Sequence, residues 1–539
     1  MVSDLPLSGS CKQDRSYGIR GDLYRAEGYW ADTAIGDELL SWGEKYSDAP
    51  ALSDRFGTIT YRELVSAAND VRGVLLSRGM RPGDKIVLHL PNSRELFFSM
   101  FGSTLAGLIP VLCLPAHRGH EISAIAGTAG AIGYVVSRDA PGSFDYCDLG
   151  ARLLDSVDCL EHEVVFEGGR IDELSYGADI DDQVLASAVD PDDTFVMLVS
   201  GGTTGLPKLI PRSHNDYLYN FSASSEIAEL SRDDVYLAVL PVAHNFALGC
   251  PGVLGTLRCG GHVVLSDSSD SRAVFSVIEA RGVTITSAVP SLARLWAESN
   301  EVDSFDLSSL RMIQVGGAKL DRELALRLHS VLRTKVQQVY GMAEGLLCFT
   351  KPSDPLDIVA NRQGTPLSPH DEISVIDADG RRRGPGTVGE LITRGPYTIG
   401  GYYSNPDASA ASFDQDGFYH TGDVVKLYED GYLEVVGRVK DVINRGGECV
   451  SPSELEAIII AHPDVTACVV IGKPDDVFGE RIIAIVESAS ELRLRDILAL
   501  FAARDVAKFK YPDTLVRVSK IPLTAMGKVD RKEVARVLT

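Results

Sequence analysis

The chain has 539 residues, too many for one hydrophobic core, so at least two domains are expected. Lys+Arg 52 against Asp+Glu 75 leaves a net charge of -23, which argues against nonspecific binding to nucleic acid or an anionic membrane and requires any anionic ligand to meet a local positive site. Nine scattered cysteines with no C-x-x-C pair, no apolar leader and no apolar run of membrane-spanning length point to a cytoplasmic enzyme without a disulfide framework or a zinc site.

In chain order, the aromatic-rich lead-in 24–30 reads as packing on the domain surface, followed by a helix over 35–46. Thr60 is placed to cap a helix running to about Arg78. Apolar strands at 85–90, 109–114 and 132–136 alternate with helices such as 95–106, whose small residues face a neighbour. Strands buried on both faces and separated by helices mark a mostly parallel α/β sheet. Residues 137–190 are acidic and irregular and read as surface loops. A buried strand, 194–199, then leads into Ser200-Gly-Gly-Thr-Thr-Gly-Leu-Pro-Lys208.

That loop suits a polyphosphate. Its glycines let backbone N–H groups turn toward an anion, and its hydroxyls and lysine add donors and charge. Pro207 before the lysine and an extended Leu-Ile-Pro after it separate the loop from a Walker A motif, in which the lysine leads into a helix. On its own the stretch also fits a Gly-rich surface turn. Further units follow: a helix over 217–229, a strand at 235–240 ending in Pro241-Val-Ala-His-Asn-Phe246, a close-packed apolar stretch 250–261 and a strand at 262–265. Two more helix–strand pairs end at Gly316-Gly-Ala-Lys319, and a helix over 321–332 leads to Gln337-Gln-Val-Tyr-Gly-Met-Ala-Glu-Gly345. Near residue 370 the period shortens to strands at 372–376, 389–393, 417–420 and 433–436, a small β subdomain with an exposed Arg381-Arg-Arg turn. An α/β pattern returns after Lys440: helix 452–461, strands 465–472 and 481–487, and helix 493–504. The expected division is an N-terminal part, 1–439, and a C-terminal domain, 440–539.

Five motifs in order, Ser200–Lys208, Tyr340-Gly-Met-Ala-Glu344, Thr421-Gly-Asp423, Gly437-Arg438-x-Lys-Asp441 and Gly527-Lys528, resemble the adenylate-forming superfamily of acyl-CoA synthetases, luciferases and nonribosomal adenylation domains. Tyr24-Arg-x-x-Gly-Tyr-Trp30, Lys208-Leu-Ile-Pro-Arg-x-His214, Pro241-x-Ala-His-Asn-Phe246 and Asn444-Arg-Gly-Gly-Glu448 look like its stand-alone aryl-acid AMP ligases of siderophore biosynthesis. The resemblance implies a large N-terminal α/β domain with a small β subdomain and a small mobile α+β C-terminal domain. It implies ATP and Mg²⁺ as cofactors and activation of salicylate or 2,3-dihydroxybenzoate to an aryl-AMP. The chain ends eleven residues past Lys528 and carries no phosphopantetheine domain, so the expected acceptor is a separate aryl carrier protein, or coenzyme A in an aryl-CoA ligase. A catalytically dead nucleotide- or carboxylate-binding relative is the alternative of another class; retention of Lys208, Glu344, Asp423 and Lys528 argues against it.

Residue by residue, the resemblance assigns Gly201, Gly202, Thr203, Thr204 and Lys208 to the β- and γ-phosphates and Glu344 to magnesium. Gly316, Gly317, Ala318, Val339 and Tyr340 would wall the adenine, with Asp423 on the ribose hydroxyls and Arg438 near ribose or phosphate. Lys528 would bridge the attacking carboxylate and the α-phosphate, stabilising charge as it develops. Lys440 matches the hinge about which the C-terminal domain turns between half-reactions. His244 would lie near the substrate carboxylate, with Asn245, Phe246, Cys250 and Val339 forming the acid slot. Amino-acid-activating relatives commonly carry an aspartate for the ammonium at the position of Asn245; a neutral amide suits an ortho-hydroxyl instead. Cys250, where dihydroxybenzoate enzymes tend to place serine, tilts the slot toward salicylate or another ring with an apolar or different 3-substituent, whereas Val339 does not, since the salicylate pattern often has a larger aliphatic residue there; the slot is mixed. Cys449 stands where the subgroup usually has lysine, which makes a charged contact from that position doubtful.

Overall fold

Two largely parallel sheets share one helical layer. In this computed structural model the described residues are 18–171, 189–200, 207–377, 379–441, 443–445, 448–450, 452–475, 479–504, 506, 508–524 and 529–536. Packing divides the chain into two compact units, Met1–Glu372 with Thr393–Tyr419, and Ile373–Ile392 with His420–Thr539.

In the larger unit, a nine-stranded sheet runs in the order Thr365–Pro366, Leu347–Phe349, Lys335–Gly341, Met312–Gly316, Ile285–Ala288, Val235–Ala238, His262–Leu265, Pro50–Asp54, Gly57–Thr60, and its six central strands are parallel. A seven-stranded sheet runs Arg170–Ile171, His162–Glu167, Ala131–Ser137, Lys85–Leu88, Ile109–Leu112, Thr194–Val199, Leu209–Ser213, antiparallel only at its two edges. Helices Ile35–Tyr46, Tyr61–Ser77 and Arg94–Leu105 lie between the sheets, and one apolar core joins Leu39, Leu64 and Phe101 to Ile86, Leu198, Tyr236 and Ile285. Sandwiching explains why Glu95 through Thr104 are buried on every face of their helix. The expected Thr60 cap is present as a capping box with Glu63. The outer faces are covered by separate cores, one under helices Ser271–Arg281, Pro290–Ala297 and Arg322–Leu332 and one under Gly119–Ala129 and Tyr146–Ser156.

Two expectations are corrected. Residues 137–190 are not all surface loop: helix Tyr146–Ser156 and strands His162–Glu167 and Arg170–Ile171 occupy their first part, and 172–188 lie outside the described residues. The helix buries Tyr146, Leu149 and Leu153 at helical spacing, a signal diluted by the acidic residues between them. The lead-in does not pack on the surface. Tyr24 and Trp30 are each 4% exposed, and Trp30 Nε1 donates to Pro396 O at 2.8 Å. The stretch 250–261 packs closely as expected, as a buried helix, Gly252–Arg258.

The smaller unit carries most of a five-stranded sheet, in the order Arg382–Arg383, Glu372–Ile376, Val388–Arg394, Tyr419–Leu427, Leu433–Arg438. A second sheet is built on the long hairpin Ala467–Asp475 and Gly479–Glu487, with Thr514–Val518 alongside and helices Pro452–Ile459 and Leu494–Ala503 on its apolar core. By packing, the small β sheet groups with the C-terminal segment. The boundary expected at Lys440 falls in the 3₁₀ turn Val439–Asp441.

Candidate active site

Within the larger unit the sequence-predicted residues converge on the carboxyl ends of the parallel strands. Gly316 ends strand Met312–Gly316 and pairs in register with Val339 on Lys335–Gly341. The strands leave Gly316 buried and Gly317 and Ala318 exposed. A Cβ on Gly316 would lie 2.5 Å from Val339 O and 3.0 Å from the Phe246 ring, so glycine is what lets the proposed adenine wall abut the acid slot. Tyr340 follows, half-buried.

The phosphate loop hangs from the antiparallel hairpin Thr194–Val199 and Leu209–Ser213, so the lysine leads into a strand as its flanking residues indicated. Ser200 and Lys208 close the loop's mouth: Ser200 N–H donates to Lys208 O at 2.9 Å, and Lys208 N–H to Ser200 Oγ at 3.0 Å. Gly201, Gly202, Thr203 and Thr204 lie outside the described residues, as does Lys528. Lys208 Nζ sits 4.3 Å from the centre of the Tyr402 ring, and Tyr402 Oη–H donates to Glu344 Oε1 at 2.9 Å. Burial and then the Glu344 charge raise the Tyr402 phenol, which stays protonated as a donor. One tyrosine therefore gathers the loop lysine and the candidate metal carboxylate. Tyr402 lies in no motif that marks it, between Gly401 and Tyr403.

Glu344 is held from behind as well. Ile399 N–H donates to Glu344 O at 2.9 Å. Gly345 adopts φ +150°, and a Cβ there would lie 2.4 Å from Thr398 Cα. Arg212, 0% exposed, pairs with Asp216 at 2.7 Å and donates to Ala343 O at 3.0 Å and to Tyr397 O at 3.3 Å. Arg212 lies in the Lys208–His214 motif, whose sequence carries no sign of these contacts. Among the described residues no group of three or more His, Cys, Asp or Glu side chains is placed to cage a metal. A single carboxylate beside a phosphate loop fits Mg²⁺, which takes its remaining oxygens from phosphates and water.

The acid slot is built on helix Asn245–Gly249. His244 is its N-cap, and its Nδ1 accepts from Phe246 N–H at 3.3 Å, which puts the ring proton on Nε2. Phe246, Cys250 and Val339 pack together in one buried cluster. Asn245 is 6% exposed; its Oδ1 accepts from Tyr217 Oη–H at 2.8 Å and its Nδ2 reaches Cys250 Sγ at 3.5 Å. Burial pushes the Cys250 thiol up to about 12, so it is a neutral thiol and not a nucleophile.

In the smaller unit, Asp423 and Arg438 face each other on paired strands and form an ion pair at 2.8 Å. Asp423 N–H donates to Thr421 Oγ1 at 3.0 Å, and Thr421 Oγ1–H to Leu391 O at 2.8 Å, which fixes the Thr-Gly-Asp turn.

Comparison with known proteins identifies the family. A model described as "AMP-binding enzyme" matches residues 39–403, and one for the "AMP-binding enzyme C-terminal domain" matches 454–528. The chain belongs to the adenylate-forming, AMP-binding enzyme family. A salicyl-AMP ligase / salicyl-S-ArCP synthetase of Mycobacterium tuberculosis is 41% identical over 96% of this chain and 93% of its own. A 2,3-dihydroxybenzoate-AMP ligase of Bacillus subtilis is 41% identical over 96% of each chain. The apo structure of Mycobacterium smegmatis MbtA superimposes with a TM-score of 0.73 at 40% identity, covering 96% of this chain and 97% of that one. The expected fold class, with a large N-terminal α/β part and a small C-terminal domain, is that of this AMP-binding family. The protein is an adenylate-forming ligase.

Proposed function

We propose that this AMP-binding enzyme activates a 2-hydroxyaryl carboxylic acid of the salicylate or 2,3-dihydroxybenzoate kind and passes it to the phosphopantetheine thiol of a separate aryl carrier protein in the cytoplasm. A carboxylate oxygen attacks the α-phosphate of ATP, the bond to the β-phosphate breaks, and pyrophosphate leaves. The thiol sulfur then attacks the acyl carbon, the bond to AMP breaks and a thioester forms. Lys208 and the loop 200–208 would hold the leaving phosphates, and Glu344 would hold Mg²⁺, which offsets phosphate charge when bound. Gly316, Gly317, Ala318 and Tyr340 would hold adenine, Asp423 and Arg438 the ribose, and Lys528 the carboxylate against the α-phosphate.

The observation that carries the substrate class is the neutral Asn245 amide, 6% exposed, at the head of an apolar slot of Phe246, Cys250 and Val339. No carboxylate stands there to hold an ammonium, and an amide pairs with a hydroxyl. Cys250 favours a ring without a 3-hydroxyl, since a thiol is a weak hydrogen-bonding partner. Acid-dependent exchange of pyrophosphate into ATP tests this. Salicylate is expected to support exchange, with benzoate weaker by up to ~10⁴-fold because it brings no hydroxyl to the amide. Comparable turnover of benzoate overturns the Asn245 assignment. Loading of coenzyme A in preference to a carrier protein would make the enzyme an aryl-CoA ligase.

A further inference from the structure

What Asn245 offers a ring substituent depends on which way its amide faces. Among the described residues two side chains lie within its hydrogen-bond reach. Tyr217 Oη–H donates to Oδ1 at 2.8 Å; Nδ2 reaches Cys250 Sγ at 3.5 Å, and the thiol itself donates to Asn245 O at 3.4 Å. Tyr217 is fully buried, and its hydroxyl has no second hydrogen bond among the described residues. Turning the amide over would set Nδ2 against the phenol and strand the tyrosine proton without an acceptor, at the full desolvation cost of that group. The carbonyl therefore faces helix His214–Ile227. The N–H edge faces Cys250, which packs with Phe246 and Val339 in the slot.

The geometry points to Tyr217 as a specificity-determining positioning residue: by holding Asn245 Oδ1 it makes the slot offer an N–H donor, and so selects acids with a hydrogen-bond acceptor beside the carboxylate over acids with a donor there. This rests on the aryl-acid reading above. In a 2-hydroxybenzoate the O–H turns to its own carboxylate and leaves oxygen lone pairs for the amide. In a 2-aminobenzoate the nitrogen lone pair is delocalised into the ring, and the outward N–H meets the amide N–H. Two donors then face each other in a dry site, which is worse than an unsubstituted ring.

The test is kcat and KM for salicylate, benzoate and 2-aminobenzoate in pyrophosphate exchange, for the full-length enzyme and for Tyr217→Phe. In the unaltered enzyme, kcat/KM for 2-aminobenzoate is expected below that for benzoate. In Tyr217→Phe the amide is free to turn, so the preference for salicylate over 2-aminobenzoate is expected to shrink by ~10-fold or more while the KM for ATP holds. A parallel fall for both acids would show a merely structural role and overturn the assignment. So would 2-aminobenzoate matching or exceeding benzoate in the unaltered enzyme, a comparison that stands even if the variant does not fold. Absence of exchange with every hydroxyaryl acid overturns the aryl-acid reading itself. Normal exchange with an unmoved preference overturns only the role of Tyr217.

Discussion

Arg212 shows how a side chain outside the reaction can set the geometry within it. Its guanidinium is buried, charge-matched by Asp216, and its remaining N–H groups hold Ala343 O and Tyr397 O, 131 and 185 residues along the chain. The fixed fork of arginine is what spans these partners at once. Arg212→Lys keeps the charge and loses the fork, so the loop that presents Glu344 loosens. The KM for ATP in pyrophosphate exchange is expected to rise about tenfold, the scale of one charge-assisted hydrogen bond. An unchanged KM would contradict the role. Lys208, Glu344 and Asn245 were legible because short motifs carry them. Tyr402 and the backbone contacts of Arg212 were not, because their partners are brought together only by the fold.

Asp371 and Tyr397 tie three strand ends together beneath the slot. Tyr397 Oη–H donates to Asp371 Oδ2 at 2.6 Å, and Leu347 N–H donates to Tyr397 Oη at 3.1 Å. Burial is the largest influence on Asp371 and pushes its carboxyl up to about 7, against hydrogen bonds from Tyr397 and Ser368 that pull it down. A carboxyl whose pKa rises on folding binds more protons in the native state. Its contribution to stability is full below the ordinary aspartate range and is lost as pH rises through about 7. The thermal midpoint is therefore expected to fall between pH 5 and pH 8 by more in the unaltered protein than in Asp371→Asn. Equal falls would contradict the assignment. At this scale the parallel strands and their helices were legible, since runs such as 109–112 are apolar throughout. Strand His162–Glu167 was not: it buries only Val164 and Phe166, and its polar residues resemble a loop.

Across the molecule, the predicted residues divide between the two compact units, with Lys208, Asn245 and Glu344 in one and Asp423, Lys440 and Lys528 in the other. Two half-reactions with different nucleophiles would suit the proposed hinge at Lys440, about which the C-terminal segment 440–539 would turn. Lys528→Ala is expected to cost adenylation on the order of 10²–10³, while Lys440→Pro should spare adenylation in part and impair thioester formation. Pyrophosphate exchange and carrier-protein loading, measured separately, check both; equal loss of the two activities in Lys440→Pro would contradict a hinge. The presence of a distinct C-terminal portion was legible from the return of the α/β pattern. That the small β sheet packs with it was not: the shortened period marks the strands themselves, whereas the unit a sheet joins is set by contacts between segments distant in sequence.

The most direct test of the central claim is mass spectrometry of the adenylate formed when the enzyme meets ATP, Mg²⁺ and an equimolar mixture of salicylate, 2,3-dihydroxybenzoate, benzoate and the proteinogenic amino acids. The expected product is a hydroxyaryl-AMP, with salicyl-AMP foremost because Cys250 offers a 3-hydroxyl little. An aminoacyl-AMP as the main product, or no adenylate at all, would contradict it.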